Sequence, residues 1–472
     1  MNRNHHHLSK YAIWIIACLV FVVMSATIDL QYLHKYARLP FPKYITRDNT
    51  PLINHISDTG ATLGRVLFYD KNLSINNSIS CASCHIQQFA FGDTAKLSVG
   101  HDGKLTRRHA MRLVIPRFGG ERKFFWNERA ASLEALTTQP IRDHIELGFS
   151  GIDGKPDFDS LLRKLADIPY YPVLFEATFG TPIITEAKIQ RVLAQFIRSI
   201  QSFDSKYDAG RAIVNEDTTD FPNFNAEENL GKLLYMTPPS LGGAGCFGCH
   251  PAPEFDIMSN SENNGVITKV GLESTIDIDN TRSPSLRDLV NPNGKNNGPF
   301  MHNGELKTIE DVIEHYNEVK EVPGNTRLDK RLIGHDGKPQ KLNLTKQEKA
   351  ALVAFLKTLT SKAMYNDVRW SNPFNPDGSL ELNPITSNKK RYSEIVAIHI
   401  YPNPATDYMT IASNGHEISS ISIYNAQGKL MRQINGEETN PIDITNLPIG
   451  KYYVKIKLAT NQITYTRSFI KL

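Results

Sequence analysis

The sequence predicts a mainly α-helical chain in two modules of similar kind, closed by a small all-β domain of Ig-like sandwich type. Three observations predict it. Between about residues 50 and 365, apolar residues recur at helical spacing and no long strand pattern is present. The pentapeptide C-x-x-C-H occurs twice in that span, at Cys81-Cys84-His85 and at Cys246-Cys249-His250. Beyond residue 395 the apolar period drops to two, in short β-rich runs separated by turn signals.

The repeated pentapeptide carries the chemistry. C-x-x-C alone is compatible with a redox pair, half a zinc site or a haem anchor. C-x-x-C-H points to haem, because two thiols add across the vinyl groups and the adjacent His supplies the proximal iron ligand. The chain has five cysteines, and the fifth, Cys18, lies in an N-terminal apolar run. A four-cysteine zinc site is the alternative, but it would not require a His after each pair. The expected cofactors are therefore two covalently bound c-type haems, and the two helical modules are expected to be cytochrome c-like haem domains.

Taken in order, residues 1–26 read as a signal peptide, with an uncleaved anchor as the alternative. Arg3 and Lys10 form a basic start, and the apolar run from Tyr11 to Met24 is short for a membrane span. Export suits haem attachment outside the cytoplasm. The formal net charge is +4 with no long basic run, which argues against a nucleic-acid partner. Residues 50–212 and 213–368 are expected to be the two haem domains. Within them, Thr185–Gln201 places Ile189, Val192, Leu193, Phe196, Ile197 and Ile200 on one helical face. Thr345 and Glu348 form a capping box ahead of Leu352, Phe355, Leu356 and Leu359, and Thr308 opens a similar helix. Residues 371–390, rich in Pro, Asn, Ser and Gly, read as a linker. Residues 395–472 read as the β-sandwich, with no cysteine and no clustered acids.

Several side chains are candidates for chemistry at the two haems. Met301 is a soft thioether that would raise a haem potential as an axial ligand, and His302 is its rival. His101 and His109 lie near the first motif. Glu146, if buried beside a haem, would have a raised pKa suited to proton transfer. Read without context, Met301 and Trp126 are better explained as core residues, and Glu146 as a solvated carboxylate at a helix end.

The order of several motifs changes that balance. Leu63–Ser74, Ile79–His85, Phe124–Glu134, Gln139–Gly148, Arg282–Val290 and Gly298–Asn317 resemble, in the same order, the bacterial di-haem cytochrome c peroxidases, over roughly residues 52–359. The resemblance implies an oxidoreductase that reduces hydrogen peroxide to water, with electrons from a small cytochrome c or cupredoxin entering at the second haem. It implies His85 as proximal ligand of the peroxidatic haem, and His101 as a distal ligand released on activation. It further implies Glu146 as the catalytic acid/base, Trp126 between the haems, Pro140 on the peroxide side, and His250 and Met301 as ligands of the second haem. Leu136 stands where many members have glutamine, and the turn Trp126–Arg129 lacks the usual glycine. An inter-haem calcium, also implied, is put in doubt because His109 replaces an asparagine ligand, although carbonyls near Arg282 and Pro284 remain. A homodimer is left open. Two alternatives stay in view: a di-haem electron carrier, and a related enzyme oxidising a protein substrate, which has Tyr where this chain has Met301.

The tail resembles a second family. The segments Tyr401–Ile411, Ile421–Ile434, Ile442–Ile456 and Phe469–Leu472 are similar to the C-terminal sorting domain of the type IX secretion system of Bacteroidetes. This implies passage through the periplasm, across the outer membrane to the surface or medium, and the secretion machinery as a partner.

Overall fold

The helical part is organised around two helix pairs that use the same device. The helix Asp58–Tyr69 packs on Glu186–Ser199, and Ala226–Met236 packs on Lys346–Lys357. A Cβ on Gly64 would sit 2.0 Å from the Val192 carbonyl oxygen, and one on Gly231 would sit 1.8 Å from that of Ala351. Neither backbone can retreat from a packed crossing, so only glycine fits at both points. The next residue repeats as well. Arg65 and Lys232, both buried, send their charged ends to carbonyls: Arg65 Nη1 to Val368 at 2.8 Å, Lys232 Nζ to Asp217 and Thr219 at 2.7 and 2.8 Å. The short repeat Leu-Gly-Arg/Lys thus precedes each C-x-x-C-H, a signal that helical periodicity does not reveal.

The computed structural model describes residues 28, 30–120, 123–256, 260–269, 275–382, 399–412, 417–435, 441–458 and 464–472. The expected signal segment lies outside them. Among the described residues no helix is long and apolar enough to cross a membrane. The chain divides into two compact units, 1–383 and 384–472.

The helices expected from the sequence form where their caps place them. Glu186–Ser199 starts at Thr185, whose side chain accepts from Lys188 N, and buries Ile189, Val192, Leu193, Phe196 and Ile197. Thr345 and Glu348 close the expected capping box, and Thr308 closes one with Asp311. Unit 1 contains two apolar cores. One gathers Phe68, Phe91, Phe118, Leu193 and Phe196; the other gathers Tyr207, Phe221, Tyr235, Phe255 and Phe355.

The cores depart from the expected boundaries in two places. Tyr207, expected in the first module, is fully buried in the second core. Residues 371–382, expected as linker, return to the first core together with Met364 and Trp370, because Phe374, Leu380 and Leu382 are apolar enough to anchor them. Gln87 Nε2 donates to the Met364 carbonyl at 2.9 Å and Ser371 Oγ to Gln87 Oε1 at 3.0 Å. Arg65 also reaches the carbonyl of Leu382. An N-terminal segment joins the same core through Leu33, Tyr36, Leu39 and Ile45.

The described strands of unit 2 pair antiparallel: β1 (His399–Tyr401), β2 (Tyr408–Ala412), β3 (Ile418–Asn425), β4 (Leu430–Asn435), β5 (Ile442–Asp443), β6 (Gly450–Leu458) and β7 (Thr464–Lys471). The sheets have the orders β1-β2-β5 and β4-β3-β6-β7. Alternation sets their inner faces: Ile421 and Ile423 pair with Ile456 and Val454, and all four are buried with Met409, Ile411 and Ile442. Each unit therefore has its own core. Deleting residues 395–472 is expected to leave the absorption spectrum and melting temperature of unit 1 within about 2 °C of the full chain. A larger loss, followed by circular dichroism, would show that the units fold together.

Candidate functional site

Both C-x-x-C-H segments sit at the wall of a cavity. Ser80 and Ser83 close a capping box that starts the single helical turn Cys81–Cys84, so the two thiols fall on one face. His85 ends that turn, its N–H donating to the Cys81 carbonyl at 2.9 Å. Its Nδ1 faces the Phe91 carbonyl at 2.9 Å, which assigns a proton to that nitrogen. Burial also lowers the His85 pKa and keeps the ring neutral. At the second motif, His250 N donates to the Cys246 carbonyl at 2.9 Å, while the Tyr235 hydroxyl holds the His250 carbonyl. Burial pushes the His250 pKa down to about 4.

The first cavity, of about 380 Å³, is lined by Cys84, His85, Trp126, Leu136, Pro140 and Glu146. A side chamber of about 80 Å³ adds Cys81. The second cavity, of about 130 Å³, is lined by Cys246, His250, Met301, His302, Asn264 and Tyr316. Met301 sits in a left-handed backbone position with φ 66°. Asn264 Nδ2 donates to its sulfur at 3.3 Å and to the Tyr316 hydroxyl at 2.9 Å. Asn264 was invisible in the sequence, because an isolated asparagine in a loop carries no pattern.

The two cavities share a wall made by residues 109–112, Trp126, Arg282 and Pro284. Trp126 is clamped within it. Its Nε1 donates to the His109 carbonyl at 2.8 Å, and its own carbonyl accepts from Thr281 N and Arg282 N at 2.9 and 3.0 Å. His109 N donates to the His302 carbonyl at 2.7 Å, and the His302 ring meets Trp126 edge-on at 6.3 Å. Arg112 faces both cavities; burial lowers its pKa to about 10, and Nη2 donates to the Ser285 carbonyl at 3.1 Å. Nothing in the sequence around Arg107–Arg112 marks this arginine, because its place between the cavities is set by distant segments.

Glu146 is carried by a tight loop. Asp143 Oδ1 accepts from Ile145 N at 2.8 Å and Glu146 N at 3.1 Å, and the Pro140 carbonyl accepts from Leu147 N at 3.2 Å. Desolvation, with Asp143 adding to it, raises the Glu146 pKa to about 7 against the opposing pull of Arg129 and Arg107. A carboxyl of this kind exchanges protons readily at neutral pH.

Two expectations meet a different geometry. His101 does not line either chamber of the first cavity. Its Nε2 instead lies 2.9 Å from Lys155 Nζ. His109 turns Nδ1 to the carbonyls of Ala95 and Lys96 at 3.1 and 3.3 Å, and burial lowers its pKa to about 4. Its side chain offers no oxygen for a calcium ion, and Arg112 and Arg282 line the same wall. The four-cysteine zinc alternative fails also: Cys81 and Cys84 serve one cavity and Cys246 the other. Among the described residues no group of three or more His, Cys, Asp or Glu is placed to hold a metal ion.

Residues 58–216 match the family model of the di-haem cytochrome c peroxidases, and residues 399–471 match that of the secretion system C-terminal sorting domain. Similar proteins include methylamine utilization protein MauG of Methylophilus methylotrophus, 28% identical over 320 residues, covering 66% of this chain and 86% of that protein. Cytochrome-c peroxidase IdrP1 of Denitromonas iodatirespirans is 27% identical over 367 residues, covering 69% and 88%. Among solved structures, a MauG-like protein associated with microbial copper homeostasis has a TM-score of 0.55 at 28% identity, covering 71% of this chain and 99% of that one. A variant of the diheme peroxidase BthA from Burkholderia thailandensis has a TM-score of 0.53 at 20% identity, covering 70% and 94%, a likeness of fold.

Proposed function

We propose that this chain, which carries a di-haem cytochrome c peroxidase domain and a C-terminal secretion sorting domain, is an exported peroxidase. It would reduce hydrogen peroxide to two waters with two electrons from a small cytochrome c or cupredoxin and two protons. One observation carries the reading: two C-x-x-C-H cavities share a wall at Trp126, and the raised carboxyl of Glu146 lines only the first.

The residues present fit two covalent haems. Burial pushes the Cys81 and Cys84 thiols up to about 12 and about 11, and those of Cys246 and Cys249 likewise to about 12 and about 11. Each C-x-x-C-H pair offers two thiols, whose S–H bonds would add across the two vinyl groups of one haem, beside the histidine that would bind its iron. His85 would hold the iron in the first cavity, and His250 and Met301 the iron in the second. When bound, the haems supply iron redox chemistry and, in the first cavity, a place for peroxide. Glu146 would move a proton from one oxygen of the peroxide to the other, so that the O–O bond breaks with release of one water, and the two donor electrons and two protons would convert the remaining oxygen to the second water. Pro140 and Leu136 close that side with apolar surface. Trp126 stands in the shared wall as the aromatic through which an electron passes. The sorting domain would take the protein from the periplasm to the surface or medium.

Asn264 bears on the second cavity. A donor to the Met301 sulfur draws electron density from it, so Asn264→Leu is expected to lower the potential of the haem there. One neutral hydrogen bond corresponds to a shift on the order of tens of millivolts, measurable by redox titration.

The test of the function is peroxide turnover by purified haem-loaded protein supplied with reduced donor. Two electrons consumed per peroxide supports the proposal. Absence of turnover from both the oxidised and the half-reduced protein would leave an electron carrier. The likeness to MauG proteins favours oxidation of a protein substrate as a second reading. The sulfur of Met301 lining the second cavity, where that relative is expected to have Tyr, weighs against it.

A further inference from the structure

His101 is stored in a dock of its own, away from the first cavity. Its Nε2 lies 2.9 Å from Lys155 Nζ and 3.3 Å from the His144 carbonyl oxygen, and Lys155 Nζ donates to that same carbonyl at 2.7 Å. An ammonium donates and never accepts, so the shorter contact places a lone pair on Nε2 and directs it at Lys155. That lone pair is the one His101 would need to bind iron. Two further features shape the dock. A Cβ on Gly148, whose φ is 91°, would lie 2.7 Å from His101 Nε2, so the ring occupies space that only a glycine leaves. The backbone holds the same position: Asn76 Nδ2 donates to the His101 carbonyl at 2.7 Å, and His101 N donates to the Glu146 carbonyl at 3.0 Å. Lys155 comes from a separate turn between Gly151 and Pro156, with Asp102 Oδ2 3.8 Å from its Nζ.

We propose that Lys155 is a latch that keeps His101 out of the first cavity, so that the peroxide side stays open in the oxidised protein and needs no prior reduction. The proposal rests on the two-haem peroxidase reading and adds how access to that site is set. For His101 to swing in, Lys155 must give up a charge-assisted hydrogen bond. Losing such a bond is expected to move the ratio of open to closed forms about ten- to a hundredfold towards closed.

The test uses the full-length, haem-loaded, fully oxidised protein, read by electron paramagnetic resonance and by the rate of cyanide binding. The parent is expected to show a high-spin signal from one haem and to bind cyanide rapidly, and Lys155→Arg to behave alike. Lys155→Met is expected to convert much of that signal to a second low-spin species and to slow cyanide binding about ten- to a hundredfold. Lys155→Met combined with His101→Ala should restore both, which ties the effect to the imidazole rather than to damage at the site. Two haems per chain, both low-spin in the oxidised parent, would overturn the latch while leaving the two-haem reading standing. A Lys155→Met protein with the parent spectrum and cyanide rate would overturn it also. One haem per chain by pyridine haemochrome would overturn the two-haem reading and the latch together.

Discussion

Glu146→Gln is expected to cut peroxide turnover by about 10²–10⁴-fold, the usual range for removing a general acid/base, with the spectra of both haems nearly unchanged. The amide keeps the shape and hydrogen-bonding capacity of the side chain and removes only the transferable proton. The pH profile gives a second readout. With the Glu146 pKa at about 7, the carboxylate that accepts the first proton dominates above that pH, so kcat/KM should rise through neutrality. The Gln variant should lack that limb. Stability runs the other way. Because burial raises the folded-state pKa, the contribution of Glu146 to stability is fully present below its unfolded value near 4.5 and is lost as pH rises through about 7. The Gln variant should therefore melt with a weaker pH dependence across that window. Turnover by Glu146→Gln at the parent rate would return this carboxyl to a bland surface role.

Replacing Cys246 and Cys249 together by Ala is expected to leave one haem per chain, seen as a single addition of haem mass, and to abolish donor-driven turnover. The two cavities predict this selectivity, because Cys246 and His250 line one and Cys81, Cys84 and His85 the other. The first cavity should still load, since its thiols and ligand come from the turn Cys81–His85 and its apolar walls include Val114, Phe124 and Leu133 of the first core. Loss of both haems would mean that the cavities assemble as one unit. Retention of two would place an anchor elsewhere.

The two C-x-x-C-H turns were legible in the sequence because their geometry is local. Five consecutive residues make the turn, present both thiols and end on the histidine, so spacing alone carries the chemistry. The same holds for the helix Glu186–Ser199, whose cap and apolar face lie within one segment, and for β3 and β6, whose alternation sets which side chains enter the core. What depended on distant residues was not legible. Residues 371–382 read as a linker by composition, yet Phe374 and Leu382 pack on the first core through contacts with segments some 300 positions away. Trp126 is fixed as the partition between the cavities only by carbonyls and amides of residues 109, 281 and 282. The Glu146 carboxyl is raised to about 7 chiefly by the desolvation that burial in the fold imposes. His101 shows the limit most clearly. Its position suggests an iron ligand, while its Nε2 lies 2.9 Å from Nζ of a lysine 54 residues on, a partner that no local pattern reveals. A local motif states what a side chain is able to do, while burial and partners from distant segments, settled only by the tertiary fold, decide which of those things it does.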